Sequence, residues 1–327
     1  MSLADVLGRY PAGERPLAAP APLGSAGGYS GSRLWRYAAT GGPRAARAWP
    51  VGTDLGRVVR VHAWLRSTSD LPFVARPIAA LDGSTAIELD GLCWEVAPWL
   101  PGASAVNVPS VARVRAGFEG LAALHARLSG VDARVGPSPG LAARRDELRA
   151  LIGGGFDLLS ARLSARTGDP LAADALAWLA LARRVAPGVL ARAAAAARLV
   201  LPLQPCLRDA RPEHFLFTDD VLTGLVDFGA MDVETPAADL ARLVGEWFPR
   251  GLADDLRAEG LAAYRRPRPV TADEDAAAVA FEELADVLVA ERWVRWRFLE
   301  DRRFEDDRAV AAGLTRGLAR LRRLAGR

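Results

Sequence analysis

Two short strand-like runs, 215–217 and 224–226, flank the turn signal Thr218-Asp219-Asp220 and read as a β-hairpin. Leu207-Arg208-Asp209 precedes the hairpin and Asp227-Phe228-Gly229 follows it, so two aspartates stand 18 positions apart (227 − 209) on short loops beside β-rich runs. Loops anchored on a rigid scaffold are where reactive side chains concentrate. His214 lies between the two acids. This stretch restricts the possible folds more than any other.

Its surroundings divide into two kinds of chain. From 22 to 98, short apolar runs punctuated by glycine and proline predict strands at 34–38, 44–49, 73–80, 86–89 and 92–98. One helix is expected over 55–66, where Val58, Val61, His62 and Leu65 recur at helical spacing and Asp54 or Thr53 can cap the N-terminus. Residues 1–22, rich in Pro, Ala and Gly, read as a loosely ordered arm. After Pro101-Gly102, alanine- and leucine-rich patterns predict helices over 109–129, 141–166, 170–197, 236–264 and 273–323, with 130–140 as a connector. The expected fold class is α+β. An N-terminal lobe, 1–98, holds an antiparallel sheet with one helix, and a mostly helical C-terminal lobe, 99–327, carries the hairpin.

Composition narrows the setting. With 327 residues the chain can bury a full core. No apolar run reaches the roughly 18 residues of a membrane span, and the first residues lack the pattern of a secretory signal. The expectation is a cytoplasmic protein with no membrane partner. Cys93 and Cys206 read as buried thiols, without a disulfide framework or zinc site. All 42 basic residues are arginines, and with a net charge of +3 they are interleaved with acids. A coding bias toward Arg and Ala explains them better than a nucleic-acid surface, so no nucleic-acid partner is expected.

Three segments carry a resemblance: Leu203-Gln-Pro-Cys-Leu-Arg-Asp-Ala-Arg-Pro-Glu-His-Phe-Leu-Phe, then Gly224-Leu-Val-Asp-Phe-Gly, then Pro236-Ala-Ala-Asp-Leu-Ala. In this order and spacing they resemble the aminoglycoside phosphotransferase family, kinase-like small-molecule phosphotransferases that include choline and homoserine kinases. The resemblance runs from about 23 to 247. It implies a bilobal, protein-kinase-like fold and ATP-dependent, metal-assisted transfer of a phosphoryl group to a hydroxyl of a small molecule, with Mg²⁺ or Mn²⁺ as the metal. Asp209 matches the catalytic aspartate that orients the acceptor hydroxyl; as a residue alone it also reads as a capping Asp. Asp227 matches the metal-binding aspartate. Asp239 matches the residue that ties down the catalytic loop, and reads equally as the N-cap of a helix over 240–247. His214 stands where the family has asparagine, the second metal ligand. An imidazole suits Mn²⁺ better than Mg²⁺, and phosphate contact or packing beside Phe215 are its other readings.

The N-terminal lobe departs from the family. Its strand lysine is absent, and Arg47 is the positional match, with a solvated strand edge as the alternative. Helix 55–66 offers no glutamate, only Asp54 at its start and His62 within. Gly27, Gly28 and Ser30 belong to a glycine-rich stretch that resembles the cover over the phosphates, or is a plain linker. Backbone groups from Glu95 to Ala97 match the hinge that meets adenine, with Trp94 and Trp99 packing nearby. His125 reads as structural. Trp293, Trp296 and Glu300 share one helical face, either core packing or an aromatic-acidic surface for a cationic substrate. Because lysine, helix glutamate and asparagine are all replaced, a degenerate kinase-fold nucleotide- or ligand-binding protein is the alternative function. The acceptor and the oligomeric state are not legible.

Overall fold

Burial alternates along Gly42–Ala48, with Arg44, Ala46 and Ala48 inside, the period-two pattern of a strand covered on one face. The computed structural model of the chain describes residues 3–24, 31–104, 110–166, 168–248, 253–302 and 307–326. In chain order its elements are α1 (Leu3–Leu7), β1 (Ala21–Gly24), β2 (Arg33–Ala39), β3 (Gly42–Ala48), α2 (Leu55–Arg66), β4 (Ile87–Leu89), β5 (Leu92–Pro98), β6 (Ala103–Ser104), α3 (Val111–Leu128), β7 (Arg134–Gly136) and α4 (Pro139–Ala150). There follow α5 (Phe156–Ser164), α6 (Ala172–Ala196), β8 (Leu201–Cys206), β9 (Phe215–Thr218), β10 (Val221–Leu225), β11 (Asp232–Glu234), α7 (Pro236–Trp247), α8 (Asp254–Arg265), α9 (Ala272–Phe298) and α10 (Asp307–Ala325). The fold class is α+β, as the sequence predicts.

The chain forms two compact units. The first comprises Met1–Val131, Pro212–Asp232 and Arg266–Arg268, so the hairpin β9–β10 groups with the N-terminal sheet. That sheet has the order β1-β2-β3-β5-β4, antiparallel at each pairing. Asp54 caps α2, its carboxylate accepting from the amides of Gly56 and Arg57 at 3.2 and 2.9 Å. A second sheet, β10-β9-β6, holds the hairpin.

Two expectations fail in this unit. Residues 3–24 are ordered rather than a loose arm. Val6, Leu7 and Tyr10 are buried in one cluster with Tyr37, Ala46 and Val96. Glu14 pairs with Arg44, and Leu17 N donates to Ala38 O at 2.9 Å. Three apolar side chains suffice to dock a segment whose overall composition looks like a linker. The strand expected at 73–80 is reduced to an isolated bridge between Val74 and Leu225. Pro77 has no N–H to give a ladder, and only Ile78 N rejoins the sheet, at Val96 O, 2.7 Å.

The second unit comprises Asp132–Arg211, Val233–Arg265 and Pro269–Arg327. Its core gathers α4 to α7, α9 and α10 around Trp178, Phe281 and Leu321. Thr271 and Glu274 form a reciprocal capping box at the start of α9. The long helices expected over 141–166, 236–264 and 273–323 are each broken. A π turn at Leu151–Gly155, with Gly154 at φ 143°, interrupts the first, and α7 and α9 end at Trp247 and Phe298. A small sheet, β11-β8-β7, was not expected; two prolines in Leu201–Cys206 hide β8, which runs directly into Leu207-Arg208-Asp209. Among the described residues no helix is long and apolar enough to cross a membrane.

Candidate active site

In the second unit, one helix organises the loop that bears Asp209. The amides of Leu207 and Arg208 donate to Asp239 Oδ2 and Oδ1, both at 2.6 Å. Asp239 is fully buried in the first turn of α7, whose N-cap is Thr235, so its carboxylate serves the loop and not the cap. Arg208 has φ +60°, a left-handed backbone rare for a long side chain, and Asp239 holds its amide there. Three residues beyond Asp239 on the same helix face, Arg242 donates Nε and Nη2 to Asp209 Oδ1 at 3.2 and 3.0 Å. Its Nη1 donates to Glu246 Oε1 at 2.8 Å. Arg320 completes the chain of charges, with Nη1 3.3 Å from Glu246 and Nε 2.8 Å from Asp286. Burial alone would raise the Glu246 carboxyl, but the charges of Arg242 and Arg320 outweigh it and hold it below the usual carboxylate range. Sequence reasoning missed Arg242 and Arg320. The i, i+3 spacing from Asp239 was the available signal for Arg242; Arg320 had none.

In the first unit, Arg47 and Asp227 come together. Arg47 Nη1 lies 3.3 Å from Asp227 Oδ1 and 3.9 Å from Glu95 Oε1. Ser32 Oγ accepts from Nε and Nη2 at 3.3 and 3.2 Å, and the guanidinium sits 4.4 Å from the Trp49 ring centroid. β3 lies between β2 and β5, so Arg47 is not on a solvated strand edge. Its partner Glu95 stands directly opposite in register on β5. His62, on α2, meets Glu95 Oε2 at 2.7 Å through Nε2, and Thr85 Oγ1 at 3.0 Å through Nδ1. A carboxylate only accepts, so Nε2 carries the proton. Trp49 Nε1 donates to the same oxygen at 2.9 Å. Arg47 thus has an acid partner on the neighbouring strand, and the helix supplies a histidine that orients that acid.

That placement corrects the hinge expectation for Glu95 and Ala97. Trp49 N donates to Cys93 O and Trp99 N to Pro43 O. Every second pair of an antiparallel ladder exchanges hydrogen bonds, so Arg47–Glu95 and Ala45–Ala97 belong to the bonded series. Their backbone groups are used within the sheet, not offered to adenine. Burial by itself would raise the Glu95 carboxyl, but the His62 hydrogen bond and the Arg47 charge hold it below its ordinary 4.5. A depressed value means the stabilisation is complete above that pH and is lost as pH falls through the folded value. Urea unfolding of the native chain should therefore lose stability on acidification more steeply than unfolding of Glu95→Gln. Equal slopes would show that Glu95 is not a net-stabilised anion.

Asp227 has φ +62°, and Gly229 N donates to its Oδ1 at 3.3 Å. A Cβ at Gly229 would lie 2.6 Å from Arg47 Nη2, so any other residue there would make the guanidinium shift. His214 Nε2 lies 3.7 Å from Asp227 Oδ2. Ligands about 2.1 Å from a six-coordinate ion are roughly 3.0 Å apart when cis and 4.2 Å when trans, so the pair fits a shared divalent cation after a small adjustment. One oxygen and one imidazole nitrogen favour Mn²⁺ over Mg²⁺. Gly27, Gly28 and Ser30 lie outside the described residues.

The remaining candidates resolve by packing. His125, Cys93 and Cys206 are buried, and neither cysteine is in a disulfide. Trp293 packs so closely on Gly313 that a Cβ there would come within 2.3 Å of it. Trp296 carries Arg302 and Arg292 over its ring at 4.6 and 6.0 Å. Glu300 falls beyond the end of α9 at Phe298, so it does not share a helical face with Trp293 and Trp296, and the arginines put positive charge beside Trp296.

A five-stranded antiparallel sheet with one helix, a hairpin between two aspartate loops and a helical remainder define a kinase-like phosphotransferase fold. The chain belongs to the phosphotransferase enzyme family, whose model matches residues 24–279, and is a small-molecule phosphotransferase by that membership. No curated protein sequence matches it. Its structure is similar to an aminoglycoside phosphotransferase from Alicyclobacillus acidocaldarius, at TM-score 0.61 and 20% identity over 100% of this chain and 97% of that one. It is also similar to amicoumacin kinase hAmiN in complex with AMP-PNP, Ca²⁺ and Ami, at TM-score 0.63 and 12% identity over 90% and 86%. A third likeness is to macrolide 2'-phosphotransferase MphH from Brachybacterium faecium, at TM-score 0.57 and 17% identity over 98% and 96%. At these identities the likenesses show the fold.

Proposed function

We propose that this chain transfers the terminal phosphoryl group of ATP to a hydroxyl of a small molecule. The observation that carries this reading is the Arg47–Glu95–His62 arrangement. The missing lysine and the missing helix glutamate are replaced together, cation for cation and acid for acid, and the new pair is anchored on both sides. A decayed site would leave one partner without the other. Arg47 is the cation offered to the nucleotide phosphates, which a guanidinium can take bidentately. Asp227 and His214 would hold the divalent cation, which neutralises charge on the phosphates when bound. Asp209, set by Asp239 and Arg242, orients the acceptor hydroxyl and takes its proton as the new P–O bond forms and the bond to ADP breaks.

Calorimetric titration with a non-hydrolysable ATP analogue tests the reading, run with Mg²⁺, with Mn²⁺ and with neither. Binding should depend on metal, be tighter with Mn²⁺, and lose that dependence in Asp227→Ala. An equal or reversed metal preference would remove His214 as a ligand. No binding under any condition would leave a scaffold without transfer, and this function would be wrong.

A further inference from the structure

Helices α4, α7, α9 and α10 of the second unit enclose a pocket lined by Arg144, Arg242, Glu246, Phe281 and Arg320, with two alanines leaving it open. The room there for a water-sized molecule is about 20 Å³, within about 250 Å³ of unfilled space that includes open solvent. Three guanidiniums therefore face one carboxylate. Two of the three are accounted for, since Arg242 binds Asp209 and Glu246 while Arg320 binds Glu246 and Asp286. Arg144 is different. Among the described residues it makes no hydrogen bond and no ion pair, and its guanidinium lies 5.0 Å from the centroid of Phe281.

The acids whose charge reaches Arg144 are Glu234 and Glu147. Glu234 is buried and already engaged, accepting from Ser138 Oγ at 2.5 Å, Gly140 N at 2.6 Å and Thr235 N at 2.9 Å. Glu147 is exposed. Two further cations, Arg242 and Arg292, bear on Arg144 from α7 and α9. Burial first, then the Arg242 charge, pulls its guanidinium down to about 10. A sheltered cation whose donors the protein does not satisfy is stabilised by an incoming anion. Arg242 links this pocket to the candidate base, because the same side chain lines the one and grips the other.

We propose that Arg144 binds an anionic group of the acceptor, a carboxylate or a phosphate, so that the substrate is a small hydroxylated anion and not a polycation. The proposal rests on the phosphotransferase reading for the word acceptor, while the anion site itself does not. The Arg292 and Arg302 flanks of Trp296 add positive charge to the same helical unit and oppose a cationic ligand.

Four probes on one three-carbon backbone test it: glycerate, glycerol phosphate, glycerol and the amine serinol. Calorimetry of the full chain without nucleotide should show binding of an anionic probe and none of glycerol or serinol. Arg144→Ala should weaken that binding about tenfold or more, the value of one charge-assisted contact. Arg144→Lys, which keeps charge but not the planar fork, should fall between, and thermal melts confirm that both variants fold. The stronger of the two anions identifies the group. Turnover with ATP and metal is then followed as ADP release. Arg144-dependent anion binding together with no nucleotide binding under any metal condition would uphold the pocket and sink the transferase reading. Serinol phosphorylated faster than glycerate, or anion binding that ignores Arg144, would overturn the pocket and leave the transferase reading standing. Binding of neither anion also overturns it.

Discussion

Asp209→Asn should lower phosphoryl transfer by roughly 10²–10⁴-fold, the usual contribution of a positioned general base, while nucleotide affinity stays close to native. The amide keeps the size and shape of the carboxylate but cannot take the acceptor's proton. The loop should stay in place, because its amides are held by Asp239 and not by Asp209. Arg242 loses one anion but keeps Glu246 at 2.8 Å, so the helix has little reason to repack. Arg47 and Asp227, the groups proposed to serve the nucleotide and its metal, belong to the other unit. The experiment is steady-state turnover beside calorimetry with a non-hydrolysable ATP analogue. Undiminished turnover would remove Asp209 from the mechanism. A parallel loss of nucleotide affinity would show that the substitution had disturbed more than the base.

The features that were legible in the sequence are local ones. Helix α2 falls on its expected bounds because its apolar spacing and the Asp54 cap both lie within a few residues of it. The hairpin is marked by its turn, where Asp219 takes φ +53°, a conformation aspartate tolerates better than most residues. What stayed hidden depends on pairing across the chain. Glu95 is one residue of an ordinary strand until register sets it opposite Arg47, and only then does it become that arginine's acid partner. β8 carries two prolines that mask its strand pattern, although it positions the Asp209 loop. Arg144, Arg242 and Arg320 lie on three different helices, and in a chain with 42 arginines nothing in composition singles them out. The long helical patterns ran on through 151–155 because a π turn keeps much of the helical periodicity.

Arg47 decides whether the altered N-terminal site is a working variant of the family's site or a remnant. If it works, Arg47→Ala should weaken metal-nucleotide binding by about 10–100-fold, since a hydrogen bond to a charged group is worth roughly 1.5–3 kcal/mol. The more telling change is Arg47→Lys, which restores the residue type that the resemblance leads one to expect. A remnant would gain from it. This site should lose, because an ammonium cannot bond Ser32 and reach Asp227 and Glu95 from one planar fork, and it gives up most of the contact with Trp49. Coupling should be visible as well: the Arg47→Ala and Glu95→Gln effects on nucleotide affinity should be non-additive by about 1 kcal/mol or more in a double-mutant cycle. Gly229 bears on the same question, for it makes room that a guanidinium needs and a lysine would not. Higher turnover in Arg47→Lys, or strict additivity with Glu95→Gln, would show that strand, helix and glycine loop do not act together on the phosphates.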